Sequence, residues 1–356
     1  MSYKTPRALN RCALICAIVL FSGGLGGAGA RAQSISEFYK GKSLSLVIGY
    51  PAGGGYDATA RLLGRHMTRH IPGEPAMVPQ NMPGAGSQRA TNYLFNVAPQ
   101  DGTSIGIVGG YIPFQPLWNA DGAQYDATKF NWLGSLDRWN GLALVWHAAP
   151  ALTLEDAMKT EVLIGATGST DIGAIYPKVV NALYGTKFKV VSGYQGTPDL
   201  NLAIERGEVH GRFGLCWQCL VSEKPSWVTE KKVRVLFMIG VQRTPEMETV
   251  PELNGLPIVI ELAKNEEERQ ILSIVFGSQE LSRPFFAPPG VPSDRVNILR
   301  NAFEATAKDT LFLAEAEKLK QPINVLHWQE LEKLIRDIYA IPKPVIQRAA
   351  AIINAK

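Results

Sequence analysis

The stretch Tyr50-Pro-Ala-Gly-Gly-Gly-Tyr-Asp57 holds the residues best placed for chemistry. Consecutive glycines let a backbone turn sharply and approach a ligand closely. A helix opening at that point presents unpaired N–H groups and about half a positive charge. The combination forms an anion site without a cationic side chain. The Gly-Lys-Ser/Thr of a nucleotide P-loop is absent here. The plainer alternative is a tight turn that caps the helix, with Asp57 as a first-turn acid.

Other constellations fit their context poorly. Gly102-Thr-Ser104-Ile-Gly106 has GxSxG spacing, yet Ser104 follows a turn and opens a strand, whereas a nucleophile elbow lies between strand and helix. His66 and His70 are four apart on a helix without HExxH, flanked by Arg65 and Arg69, which reads as a solvated face. Cys216-Trp-Gln-Cys219 reads as a local disulfide, two buried thiols, or a redox motif whose strand-then-helix context is not evident. A CxxC alone makes no zinc site. Trp118, Trp132, Trp139, Trp146 and Trp217 are accompanied by no basic stripe, so nucleic-acid binding finds no support. No metal or cofactor is expected.

The elements that must position these residues recur as strand, glycine loop and helix. Ser43 to Tyr50 reads as a buried strand, and Tyr56 to His70 as a helix with Ala60, Leu63 and Met67 at helical spacing. Pro83-Gly84-Ala85-Gly86 is a second loop leading into a helix, and Thr103 to Gly109 a strand ending at Gly110 and Tyr111. The pattern returns with the strand Glu161 to Ala166, the loop Thr167-Gly168-Ser169-Thr170, and a helix in which Pro177 predicts a kink. A strand to Val191, the turn Tyr194 to Thr197 and another helix follow, and the C-terminal third reads as helical. Two α/β domains with largely parallel sheets result, whose ligands bind beyond the strand C-termini. No sequence repeat of fixed period is present.

Residues 1–32 contain Lys4, Arg7 and Arg11, then the apolar run Cys12 to Gly27, then small residues with Ala30 and Ala32 before Gln33. This is the pattern of a cleaved secretory signal, and the run is shorter than the ~20 residues a membrane span needs. Gly24, Gly26 and Gly29 spell GxGxxG inside that leader, where the motif lacks its strand and acid. The chain of 356 residues has a net charge of +4, with 36 Lys and Arg against 32 Asp and Glu. Lys4, Arg7, Arg11 and Arg31 precede the cut, so the exported part balances at 32 of each sign. Anion selectivity must then come from local donors and not from a global positive field.

The stretches VIGYPAGGGYDATARLLGRHM and NMPGAGSQRATNYLFNVAPQDGTSIGIVGG resemble the extracytoplasmic solute-binding proteins of tripartite tricarboxylate transporters, the Bug family. The shared elements are Pro51, Gly53, Gly54, Asp57, Ala60 and Arg61, then Asn81, Pro83, Gly84, Ala85 and Gly86, then Ala98, Pro99, Asp101 and Gly102. Weaker correspondence continues to Ala287-Pro-Pro-Gly290-Val-Pro292.

The resemblance implies a two-lobed α/β Venus flytrap of type II-like topology, with mixed, mostly parallel sheets flanked by helices. Lobe 1 would comprise 33–139 and 276–356, and lobe 2 140–275. The implied protein is a periplasmic, non-enzymatic receptor. It captures a small organic anion (di- or tricarboxylate, aromatic acid or acidic amino acid) and delivers it to the membrane permease. Ligand-binding residues carried over or suggested by position are Tyr50, Ala52, Gly53, Gly54, Gly55, Tyr56, Gly84, Gly110, Tyr111, Gly168, Ser169, Thr170 and Tyr194. The family's Gly-x-Val-Asp reads Gly207-Glu-Val-His210 here, with Arg212 two residues on. Arg212 is either a contact to a second ligand carboxylate or a salt-bridge partner. The alternatives to a transport receptor are an exported Ser104 hydrolase or Cys216/Cys219 oxidoreductase, or a ligand sensor.

Overall fold

The computed structural model describes residues 35–119, 121–168 and 171–355; the leader segment 1–32, with Ser169 and Thr170, lies outside them. The described strands are β1 (Ser43–Ile48), β2 (Ala76–Asn81), β3 (Ser104–Ile107), β4 (Asn131–Ser135), β5 (Gly141–Trp146), β6 (Val162–Ala166), β7 (Phe188–Ser192), β8 (Gly211–Cys216), β9 (Val233–Ile239), β10 (Pro284–Ala287) and β11 (Leu326–His327).

They form two mixed sheets flanked by helices, so the chain is a two-lobed α/β protein. The first sheet runs β11-β4-β10-β3-β1-β2 and the second β7-β6-β8-β5-β9. In the first, β1 pairs in parallel with β2 and β3, while β10 runs antiparallel to β3 and β4. In the second, β6 pairs in parallel with β7 and β8, while β5 runs antiparallel to β8 and β9. The strand orders 2-1-3-10-4 and 7-6-8-5-9 therefore trace one topology twice. In each sheet the antiparallel strand has crossed from the other half: β5 enters directly after β4, and β10 returns after β9. The recurring strand, loop and helix pattern of the sequence carries no fixed period that would show this repeat of strand order.

The equivalent strands β1 and β6 each lead into a 13-residue helix, Gly55–Met67 and Ile172–Tyr184. The apolar runs of β1 and β6 reflect strands covered on both faces. Leu44, Leu46 and Ile48 of β1 pack into one core with Leu63, Phe285, Phe303 and Phe312. Val47, on the opposite face, joins a second core that continues through Trp132 and Phe286 into Leu144 and Phe237 of the second sheet.

The helix Ile172–Tyr184 runs unbroken through Pro177. Pro177 lies in its second turn, where the missing N–H forfeits a bond to the Gly173 carbonyl and the preceding turn has little to lose. The final helix, Lys343–Asn354, packs against Gln115–Trp118, Glu266–Phe276 and Ile172–Tyr184. The C-terminal helices thus complete more than the first sheet's layer. No helix among the described residues is long and apolar enough to cross a membrane.

Candidate functional site

The loop after β1 is fixed by one acid. Asp57 Oδ2 accepts the Gly53 N–H at 2.9 Å, and Oδ1 accepts from Arg61 Nε and Asn81 Nδ2, each at 2.9 Å. The Asn81 amide also donates to the Tyr50 carbonyl. Burial pushes the Asp57 carboxyl up, but the bonds from Gly53, Asn81 and Arg61 outweigh it and hold the group below the usual carboxylate range. The equivalent loop after β6 repeats the device. Asp171 caps its helix through the Ala174 N–H at 3.0 Å and accepts the Gly168 N–H at 2.8 Å and the Thr167 hydroxyl.

Each loop therefore spends one glycine N–H on its own acid. The first intrahelical bond after β1 runs from Ala58 N–H to Gly54 O. The N–H groups of Gly54, Gly55 and Tyr56 precede it and have no intrahelical acceptor. The loop from Pro51 to Gly55 is exposed.

The glycines separate by what the protein requires of them. Gly53 has φ +84°, which favours glycine whatever the space. Gly110 has Leu281 O only 1.9 Å from where a Cβ would sit, so close backbone approach demands it. Gly84 has φ +143°. Four described glycines, Gly54, Gly55, Gly168 and Gly196, combine a φ outside the left-handed region with no atom nearer than 3.6 Å to a built Cβ. All four lie in loops that follow a parallel strand and open a helix, after β1, β6 and β7. Nothing described in the folded chain explains their lack of a side chain.

Aromatic residues flank the first loop. The Tyr50 and Tyr56 rings stack with centroids 4.0 Å apart, and Tyr111 donates to the Gly86 carbonyl at 2.6 Å. Burial, and then the neighbouring Tyr50, raises the Tyr56 hydroxyl well above its ordinary value. Arg283 was not evident from spacing: it precedes β10, yet its Nη2 lies 3.6 Å from a Cβ built on Gly55. The first loop thus does have a cationic neighbour.

In the second lobe Tyr194 is half-buried beside Gly165. Arg212 is 9% exposed and bonds to Asn201 Oδ1 at 3.1 Å, and its Nε has no partner. Among the described residues Arg212 forms no salt bridge, against that alternative. His210 Nδ1 accepts the Leu163 N–H at 3.0 Å, and burial lowers its pKa, favouring the neutral ring.

Cys216 and Cys219 form a disulfide with Cα atoms 5.1 Å apart. The strand-then-helix context missing from the sequence reading is present, since β8 ends at Cys216 and the helix Trp217–Glu223 follows. Seven residues are too few to display a helical period. Ser104 opens β3, 1% exposed within the sheet. His66 corrects another expectation: it is buried, with Nε2 against Glu315 of the helix Thr310–Lys318 at 2.5 Å, while His70 stays partly exposed against Asp309, the residue that caps that helix. No group of three or more potential metal ligands occurs among the described residues.

No family model matches the chain. A curated relative, described as the UPF0065 protein in gbd 5'region of Cupriavidus necator, is 26% identical over 246 residues, 66% of this chain and 71% of that protein. Among solved structures, a TctC solute binding protein from Polaromonas superposes with a TM-score of 0.67 at 17% identity, covering 87% of this chain and 99% of the other. The periplasmic binding protein BugD gives 0.58 at 17% identity, with 87% and 98% covered. MatC from Rhodopseudomonas palustris, with bound malate, gives 0.54 at 18% identity, with 88% and 99% covered.

Proposed function

We infer, for a chain with the fold of the TctC and Bug periplasmic binding proteins, that it is a solute receptor capturing a small organic carboxylate between its lobes. The observation that carries this reading is the set Gly54, Gly55, Gly168 and Gly196. A glycine that the fold does not require, in an exposed loop that opens a helix, leaves room for something outside the fold. At helix N-termini that something is an anion. Malate in MatC supports the carboxylate class.

The carboxylate sits against the N–H groups of Gly54, Gly55 and Tyr56, with Tyr50, Ala52 and Tyr111 beside it. Gly168, Ser169, Thr170 and Tyr194 complete the second wall. Gly53, Gly84 and Gly110 shape the loops by conformation and close packing. Lobe 1 comprises 33–139 and 276–356, and lobe 2 comprises 140–275, in keeping with a passage between sheets after Ser135 and a return before Pro284. Capture closes the lobes by rotation about those passages and involves no covalent step. Residues 1–32 direct export to the periplasm, where the loaded form delivers its anion to a tripartite tricarboxylate-type permease.

Calorimetry of the chain from Gln33 with malate, adipate and benzoate tests the reading. At least one acid should bind, and Gly54→Val should abolish that heat while leaving the fold intact. Absence of binding by all three, or an unaffected Gly54→Val variant, contradicts it.

A further inference from the structure

Glu280 is a buried carboxyl with one unpartnered oxygen. It stands in the return passage, four residues before β10, and is 1% exposed. Its Oε2 accepts the Gln242 amide at 2.6 Å, while its Oε1 has no hydrogen-bond partner among the described residues. Burial pushes its pKa up; the Gln242 amide, Arg138 and the nearby backbone of Val241 and Gln242 pull it only part of the way back. A carboxyl taken out of water is costly unless a donor or a cation meets it.

This carboxyl lines a cavity of about 490 Å³, the size of a small-molecule site. Both sheets contribute walls. Val241 and Gln242 follow β9, an edge strand of the second sheet, and Leu326 belongs to β11, an edge strand of the first. The helix Glu266–Phe276 supplies Arg269 and Ser273, and the helix Trp328–Tyr339 supplies Lys333, Leu334 and Ile338. The glycine loops after β1, β6 and β7 contribute nothing to its lining, so the cavity is separate from the anion site.

The charged lining consists of four carboxyls and two cations, and both cations are engaged already. Arg269 pairs with Glu266 at 3.9 Å, and Lys333 with Asp337 at 2.6 Å. Glu280 and Glu330 are the acids left over, and Glu330 accepts the His327 N–H that opens its own helix. The local excess is therefore negative, and its most buried member is Glu280. No group of three or more potential metal ligands occurs among the described residues, so the chemistry is not that of a metal ion. Leu326, Leu334 and Ile338 offer an apolar wall beside the acid.

We propose that this cavity is a second binding site, for a small organic cation whose primary ammonium meets the Glu280 carboxyl and whose aliphatic chain lies along Leu326, Leu334 and Ile338. An ammonium brings three donors and no acceptor, which suits a carboxyl oxygen that lacks a donor. The site stands apart from the carboxylate reading, and its failure would leave that reading untouched.

Calorimetric titration of the chain from Gln33 with hexylamine and hexan-1-ol compares a charged and a neutral head on one tail. Near neutral pH hexylamine should bind at least about tenfold more tightly, the size of one charge-assisted contact. Glu280→Gln keeps the shape and removes the charge, and should shrink that preference to about threefold or less. Ser273→Phe fills the cavity from its helix and should weaken both ligands. Melting without ligand serves as the folding control, since replacing a buried, unpaired carboxyl by an amide should leave the midpoint unchanged or raised. Hexan-1-ol bound as tightly as hexylamine, or a preference that survives Glu280→Gln, overturns the inference. Binding of neither compound overturns it too, and leaves water as the partner of Oε1.

Discussion

The Tyr56 hydroxyl donates to the Ser282 carbonyl at 2.9 Å, although 226 positions separate them in the chain. Ser282 Oγ in turn accepts the Trp139 indole N–H at 2.7 Å. The first glycine loop is thereby bonded to both passages between the sheets. Tyr56→Phe removes the first of these bonds and should cost about 1 kcal/mol in urea denaturation. A loss below about 0.3 kcal/mol would show the contact carries no weight.

Gly53 and Gly54 are adjacent and should behave oppositely. Gly53→Ala forces a side chain into φ +84° and should destabilise by about 1–2 kcal/mol. Gly54→Ala meets only Pro51 O at 3.7 Å and should change stability by less than about 0.5 kcal/mol. Chemical denaturation of the two variants gives the comparison directly.

Asp57→Ala leaves the Gly53 N–H, the Asn81 amide and Arg61 without their acceptor. The expected loss is about 2–3 kcal/mol near neutral pH. The folded-state carboxyl titrates below its unfolded value, so its contribution is present above about pH 4 and vanishes as pH falls through the folded value. Wild type and variant should therefore converge in acid.

Asp137 shows the opposite sign. Burial pushes its carboxyl up to about 7, although Arg283 pulls it down. The unfolded chain releases this proton near pH 4, so stability should fall as pH rises from about 4 to about 7. Asp137→Asn should flatten that slope. Denaturation midpoints at pH 5 and pH 8 decide it: a wild type equally stable at both would contradict the buried, raised carboxyl.

The Cys216–Cys219 ring closes where Cys216 pairs with Gly141, the first residue of the second sheet. Replacing both cysteines by serine should lower stability by about 2 kcal/mol, as expected for so short a loop. The same loss should appear in the wild type under a reducing dithiol and be absent from the variant.

The strand-loop-helix units were legible because apolar runs and glycine clusters are local signals. β1, the loop at Gly53 to Gly55 and the helix after it lie where SLSLVIGYPAGGGYD predicts them. The two-lobed α/β fold that the resemblance read from those motifs implies is the fold of the TctC and Bug neighbours. What sequence reading lacked was long-range. Arg283 lies 228 positions after Gly55, so no spacing rule joins them. His66 looked solvated because its partner Glu315 is on a helix far along the chain. The three glycines looked alike, since only backbone angles and neighbours distinguish Gly53 from Gly54 and Gly55. The doubled topology was hidden because strand order is a property of pairing and leaves no period in the residues.

The helix Lys343–Asn354 touches Gln115–Trp118 on one side and Ile172–Tyr184 on the other, and the Lys178 ammonium holds the Ala355 carbonyl at 2.7 Å. Two covalent passages already join the sheets, and this helix adds a third, non-covalent strut. A rotation of one sheet against the other must slide the helix past at least one of its packing partners, Gln115–Trp118, Glu266–Phe276 or Ile172–Tyr184. The strut thus limits which axes of lobe rotation are open, and a tag or dye fixed after Ala355 should perturb any closure the protein makes.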